Sequence, residues 1–264
     1  MTAVDFSKFV EDLALLSGDI IIPFFRSSIG AEDKSRGGAF DPVTEADRAA
    51  ESAIRQKILE AFPDHGIIGE EFGDHNPDAE YVWLIDPIDG TKSFVSGLPL
   101  WGTLIGLRRR DKAVYGLMHQ PFIRERFLGD GKVAYWRGLS ASSVAIEKIL
   151  RTRDCHKLAH ATIMTTSPLL LDDAQREKYR RVEKATRLHR YGGDCYAYCM
   201  LAAGFVDVVI EAGLKPYDVA ALIPIVEGAG GVITTWDGGS AHDGGAVIAA
   251  GDRRIHAEAL RLLA

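Results

Sequence analysis

The chain has 264 residues, and 31 Lys and Arg against 37 Asp and Glu give a formal net charge of −6. Apolar residues make up 47% and charged residues 26%, which excludes an intrinsically disordered chain. The acidic balance speaks against a nucleic-acid binder, which carries a basic excess, and an acidic protein that handles an anion needs cations from elsewhere; metal ions would supply them.

Phe6, Phe9, Val10, Leu13, Leu16 and Ile20 recur at helical spacing and predict an amphipathic helix over residues 4–26. Its acids, and the lack of a basic stretch before it, do not fit a secretory signal. No apolar run approaches the roughly 18 residues of a membrane span, so the expectation is a cytoplasmic protein with no membrane partner. Residues 30–41 are polar and glycine-rich, a loop free enough to close over a site. A second helix is expected from Thr44 to Ala61, with Ala50, Ile54 and Leu59 inward and Pro63 beyond its end. Short apolar runs at 66–69, 81–85, 100–107, 113–118 and 126–128 read as strands. The run from Arg108 to Lys112 lies between two of them and reads as a solvated hairpin tip.

Further on, a strand is expected at 161–165, helices at 172–184 and 194–203, and a strand at 206–211. A helix opening at Pro216 or Tyr217 ends at the glycines 228–231. Strands at 232–235 and 247–250 and a helix over 253–264 follow. Strands interleaved with helices mean an α/β or α+β layered fold, with two packed subdomains over 1–145 and 146–264. The three cysteines, Cys155, Cys195 and Cys199, make no disulfide framework and read as small buried apolar residues. The eight histidines form no zinc-ligand pattern, and His65 reads as a loop residue.

Four segments place acids beside glycine or proline: Asp41-Pro-Val-Thr-Glu-Ala-Asp47, Gly69-Glu70-Glu71, Trp83-Leu-Ile-Asp86-Pro-Ile-Asp89-Gly-Thr91 and Lys215-Pro-Tyr-Asp218. In the third, an apolar strand ends in two acids, Pro87 forces an extended or turn path, and Gly90 permits close backbone approach. Ligands bind beyond strand carboxyl ends in α/β sheets. Two carboxylates three apart across a proline can converge on shared ions, and such hard oxygen donors suit Mg²⁺. A helix opening at Gly90-Thr91-Lys92-Ser93 would offer free N–H groups to a phosphate. Singly, Asp47 reads as a helix-surface acid, Glu70 and Glu71 as a solvated loop, Thr91 as an N-cap and Asp218 as a first-turn acid. Together they are a set of carboxylates beside a phosphate cradle.

The segments DPVTEAD, GEE, WLIDPIDGTKSF and PYDVAALIPIVEGAGG resemble the signatures of the inositol monophosphatase family, Mg²⁺-dependent, lithium-sensitive phosphatases, over roughly residues 5–262. The resemblance implies an αβαβα sandwich, a dimer, and two or three Mg²⁺ per site acting on a small phosphate monoester. By position, Glu70, Asp86 and the Ile88 carbonyl match ligands of a first metal, and Asp86, Asp89 and Asp218 those of a second. Gly90 and Thr91 match the phosphate-binding turn, Asp47 with Thr91 the pair that orients the attacking water, and Glu71 an acid near the metals. Ile88, Asp89 and Asp218 also fall at substrate-contacting positions. Most metal ligands then lie in the first subdomain, and Asp218 and the specificity segment in the second. Tyr217 stands where many members have Trp.

Gly192-Gly-Asp-Cys-Tyr-Ala-Tyr198 and Glu211-Ala-Gly-Leu-Lys-Pro-Tyr-Asp218 are similar to the histidinol-phosphate phosphatase branch. That likeness implies hydrolysis of histidinol phosphate in histidine biosynthesis, with Asp194 and Glu211 facing the organic part of the substrate and Arg190 near its phosphate. Carboxylates suit an ammonium group, but they also accept from inositol hydroxyls, so charge alone leaves an inositol or sugar phosphatase open. Asp194 fits a helix N-cap equally, and Arg190 a surface position within a basic patch with Arg180, Arg181, Lys184 and Arg187. A non-catalytic, partner-binding relative is the remaining alternative.

Overall fold

The computed structural model describes residues 3–27, 32–33, 42–43 and 45–264. In chain order the elements are α1 (Ala3–Ile21), β1 (Glu32–Asp33), β2 (Pro42–Val43), α2 (Glu45–Ala61), β3 (Gly66–Gly69), β4 (Gly73–His75), β5 (Tyr81–Asp89) and α3 (Thr91–Val95). The hairpin strands β6 (Gly102–Arg109), β7 (Lys112–Gln120), β8 (Glu125–Gly129), β9 (Ala134–Leu139) and β10 (Ala145–Ile149) come next. Then follow β11 (Thr162–Thr165), α4 (Asp173–Ala185), β12 (Leu188–Tyr191), α5 (Asp194–Ala202), β13 (Val208–Leu214), α6 (Pro216–Val219), α7 (Leu222–Gly228), β14 (Val232–Thr235), β15 (Gly245–Ala250) and α8 (Arg253–Leu263).

Alternation along the strands builds five layers. The first sheet has the order β10-β9-β8-β7-β6-β5-β3-β4 and is antiparallel except where β3 runs parallel to β5. Ile85, Ile105, Leu117 and Leu128 face one side of it and meet Val10, Leu13, Ile54 and Ile58 of α1 and α2. Their neighbours Leu104, Met118 and Phe127 face the other side and pack on α5 and α7 together with Val209, Val247 and Ala249 of the second sheet. That sheet, in the order β12-β11-β13-β15-β14, turns Ile163, Val208, Ile210 and Ile248 outward to Tyr179 and Val182 of α4 and Ile255 and Ala259 of α8. The result is the αβαβα sandwich expected. Among the described residues no helix is long and apolar enough to cross a membrane.

Three glycines let the middle layer approach the first sheet. Gly106 faces Gly116, and Gly116 faces Gly129, across β6, β7 and β8. A Cβ on Gly116 would lie 1.9 Å from the Ala221 carbonyl oxygen, and one on Gly129 2.3 Å from that of Pro224. The chain from α6 into α7 therefore rests directly on the strands.

Several expectations shift. α1 stops at Ile21 rather than at 26, because Pro23 removes an amide donor two residues on. Ile58 is fully buried on the inward face of α2, and Leu59 packs against the same core only partly buried. The helix opening at Pro216 is two short helices, α6 and α7. The strands β4, β9, β10 and β12 had no readable signal: β4 and β12 are exposed throughout and β10 almost so, so no alternation marks them. The loop expected over 30–41, like Asp41 and Thr44, lies outside the described residues apart from Glu32–Asp33. Arg110 and Asp111 form the hairpin tip between β6 and β7, as expected. His65 sits in a loop and accepts from Trp83 Nε1 at 3.0 Å. All three cysteines are buried and free.

Candidate active site

The site is built around an irregularity in β5. The strand does not end before its acids but carries them, running through Pro87 to Asp89. Residues three apart in a regular strand face opposite sides. Here Asp86 pairs with Leu104 and Asp89 with Gly102, so β5 holds one residue more than β6 over this stretch. The bulge turns Asp86 and Asp89 to one side. Pro87 has no amide to lose there, its carbonyl accepts from Thr103 Oγ1 at 2.8 Å, and the Ile88 amide donates to Asp86 Oδ1 at 3.0 Å.

Gly90, with φ 87°, then turns the chain into α3. This left-handed conformation favours glycine, and a Cβ there would lie 3.0 Å from Asp194 Oδ2. Gly90, not Thr91, occupies the N-cap position; Thr91 Oγ1 instead donates back to the Ile88 carbonyl at 3.2 Å. With five residues α3 has little macrodipole, so the turn contributes its leading amides, which have no intrahelical acceptor.

Two groups of acids converge here. Asp86, Asp89 and Asp218 offer carboxylate oxygens within 4.8 Å of one another, and Asp47, Glu70 and Glu71 form a second such group. Asp218 comes from α6 and accepts from the Lys215 amide at 2.7 Å. Burial pushes the Asp86 carboxyl up, and Glu70, Asp89, Asp218 and Asp47 push it further. Asp89 is raised by burial and then by Asp194 and Asp218, and burial lifts Asp218 to about 6. Among the described residues no cation acts on Asp86 or Asp89, while Lys215 favours the ionised Asp218. Crowded hard oxygens of this kind are a donor set that fits Mg²⁺.

The second half of the chain closes the site. The Cys195 amide donates to Asp89 Oδ2 at 2.6 Å, and Ser93 Oγ donates to Asp194 Oδ2 at 2.9 Å. Asp194 is thus not a cap: Gly193 holds the N-cap position of α5, and Asp194 reaches across to α3 with φ 44°. Glu211 on β13 accepts from the Thr166 amide at 2.6 Å, Thr166 Oγ1 at 3.0 Å and Thr165 Oγ1 at 3.3 Å. Burial nevertheless lifts it to about 7.

Asp89, Gly90, Thr91, Asp194, Glu211 and Asp218 line one cavity of about 450 Å³, with Lys92, Thr166, Leu170, Tyr198, Leu214 and Leu222 among the rest of its wall. Arg190 is exposed on the edge strand β12 and does not line it. Arg180, Arg181, Lys184 and Arg187 are likewise exposed. The sequence reading missed Ser93 and Thr166, which hold the two far acids, and Lys92, whose charge favours the ionised Asp194. Tyr198 packs in the core on α5 and also lines the cavity, its buried hydroxyl without a hydrogen-bond partner among the described residues. Only the serine in the DGTKS run gave any signal for these.

The chain matches the inositol monophosphatase family over residues 4–264. It belongs to that family. It is 43% identical, over 95% of its length and 72% of the other's, to a protein of Arabidopsis thaliana called bifunctional phosphatase IMPL2, chloroplastic. It is 36% identical to a histidinol-phosphatase of Chlorobaculum parvum, over 83% of this chain and 82% of that one. Among solved structures, an inositol monophosphatase from Zymomonas mobilis superposes with a TM-score of 0.86 at 37% identity, covering 100% of this chain and 99% of that one. Family membership makes the chain a phosphatase by kinship, and family members are generally Mg²⁺-dependent.

Proposed function

We propose that this chain hydrolyses histidinol phosphate to histidinol and phosphate. The observation that carries the reading is the pair of buried carboxylates, Asp194 and Glu211, in the same cavity as the Gly90–Thr91 turn and the acids Asp89 and Asp218. An ammonium group beside Asp194 and Glu211 would stabilise their charged forms, and a flat imidazole fits a wall that includes Leu170, Tyr198, Leu214 and Leu222. The likeness to a histidinol-phosphatase supports the same assignment.

Asp86, Asp89, Asp218, Glu70 and the Ile88 carbonyl are the groups that would hold Mg²⁺, with Glu71 beside them. Bound there, Mg²⁺ lowers the pKa of a water and stabilises charge on the leaving oxygen. The amides of Gly90 and Thr91 hold nonbridging phosphate oxygens. Because Thr91 gives its hydroxyl hydrogen to the Ile88 carbonyl, its oxygen lone pairs remain to accept from the attacking water, which Asp47 helps to orient. Positioning and charge stabilisation then do most of the work, as phosphoryl transfer requires.

Phosphate release with Mg²⁺ from histidinol phosphate and from inositol 1-phosphate tests the reading. The expected preference for histidinol phosphate is at least about a hundredfold, about 2.7 kcal/mol of transition-state discrimination, and Asp194→Ala is expected to remove most of it. Equal rates in the wild type would overturn the substrate. An equal fall for all esters in Asp194→Ala would make Asp194 only the holder of Ser93.

A further inference from the structure

Asp47, Glu51 and Arg55 stand at successive i, i+4 positions on α2, so they form one stripe along the helix. Asp47 belongs to the acid group with Glu70 and Glu71. One turn on, Glu51 is completely buried and reaches the same segment. Its Oε2 accepts from the Glu71 amide at 2.8 Å, and its Oε1 accepts from the Phe72 amide at 3.2 Å. One turn further, Arg55 Nε donates to Glu51 Oε1 at 2.7 Å, and Arg55 Nη2 donates to the Gly73 carbonyl. The chain from Glu71 to Gly73 is thus gripped at three points by one helix face. The glycine before the two acids has its reason here: a Cβ on Gly69 would lie 2.2 Å from Glu51 Oε1, inside any permitted contact.

We propose that Glu51 is a positioning residue. It fixes the backbone of the Glu70–Phe72 turn to the same helix that carries Asp47, so that the three acids are assembled before any cation arrives. Carboxylates brought this close repel one another. Strand pairing fixes the two ends of the turn, Gly69 against Gly73 and the Glu70 amide on the Ile85 carbonyl at 3.3 Å, and its middle, Glu71 and Phe72, needs a hold of its own. Two charge-assisted bonds to consecutive amides supply that hold. Glu51 touches neither substrate nor cation in this scheme. The inference rests on the reading that Glu70 and Glu71 serve a cation site.

The test compares the wild type, Glu51→Gln and Gly69→Ala in the full chain. Gln has one acceptor oxygen where Glu has two, so it keeps at most one of the two amide bonds. The added methyl of Gly69→Ala displaces the Glu51 carboxylate while leaving Glu51 in place, so it serves if Glu51→Gln does not fold. Hydrogen exchange without metal is read first. At least one of the Glu71 and Phe72 amides is expected to exchange about tenfold faster or more in Glu51→Gln, and both in Gly69→Ala, the loss of one charge-assisted bond each, with exchange in β13 and β15 unchanged. Calorimetric titration of the substrate-free protein with Mg²⁺ is read second, and both variants are expected to bind about tenfold more weakly, with kcat at saturating Mg²⁺ within about threefold of wild type. Unchanged exchange at Glu71 and Phe72, or unchanged Mg²⁺ affinity beside a lowered kcat, overturns the assignment. If the wild type itself takes up no Mg²⁺, the cation reading of the acids fails instead, and the exchange data alone then decide whether Glu51 holds the turn.

Discussion

Asp86 and Glu211 are both buried carboxylates raised above their ordinary proton affinity, yet their surroundings differ. Around Asp86 the neighbours are other acids, Glu70, Asp89, Asp218 and Asp47, each adding to the penalty of burial. Around Glu211 the hydrogen-bonding neighbours are donors, the Thr166 amide and the hydroxyls of Thr165 and Thr166, which oppose the burial, while the acid Asp194 adds to it. Asp194 resembles Glu211, with Ser93 as its donor. In the first arrangement the acids repel one another, and a cation from outside the chain would relieve them. The second is satisfied by the protein, and its charge responds to what enters the cavity. One region is therefore suited to a cation that stays, the other to a cation that comes and goes with the substrate.

The contrast is broken most sharply at Asp89. Asp89→Asn still accepts the Cys195 amide through its side-chain oxygen but loses the charge on the side facing Asp86 and Asp218. Phosphate release at saturating Mg²⁺ is expected to fall by about three orders of magnitude, about 4 kcal/mol, with an unchanged circular dichroism spectrum. Turnover near wild type would remove Asp89 from the cation site. Gly116→Ala acts on both regions together by driving a methyl group into the Ala221 carbonyl. Urea unfolding is expected to show a loss of about 3 kcal/mol, and a loss below about 1 kcal/mol would mean that the seam can yield.

Glu211→Gln sharpens the contrast through pH. A carboxyl at about 7 in the folded chain, against an ordinary 4.5, stays protonated where the unfolded chain has ionised. Stability from this group is therefore full below about pH 4.5, falls as pH rises and levels off above about 7. Across that window the metal-free wild type is expected to lose about 2–3 kcal/mol more than Glu211→Gln, measured as the difference between their urea unfolding curves. Parallel curves would show that the threonine donors fully offset the burial.

What could be read from the sequence was what is local. The inward faces of α1 and α2 and the four acid segments declare themselves within a few residues, because helical periodicity and proline-bounded acids are short-range patterns. Asp89 and Asp218 are recognisable from their own neighbours even though only folding brings them together. The bulge that turns Asp86 and Asp89 to one side is another matter, since it exists only relative to β6. Asp194 looked as much like a helix cap as a contact, because its partner Ser93 lies 101 residues away. Glu51 was hidden by its setting: a charged residue on the apolar face of an amphipathic helix reads as noise unless the segment it holds is known. The strands β10 and β12 went unseen because exposed strands bury too little for alternation to be imposed on them.

The row Gly106, Gly116 and Gly129 works as a hard stop between two machine parts. Where side chains fill a joint, rotamer changes give it play, and a substitution can shim it wider or narrower by a methyl group at a time. Here main-chain atoms meet main-chain atoms, and the spacing is set by their radii alone. Asp218, carried on α6 just before this contact, is thereby gauged against Asp86 with nothing adjustable in between. A lineage that took this scaffold to a new phosphate ester would have to recut the cavity wall at positions such as Leu170, Tyr198 or Leu214, because the seam has no setting to change.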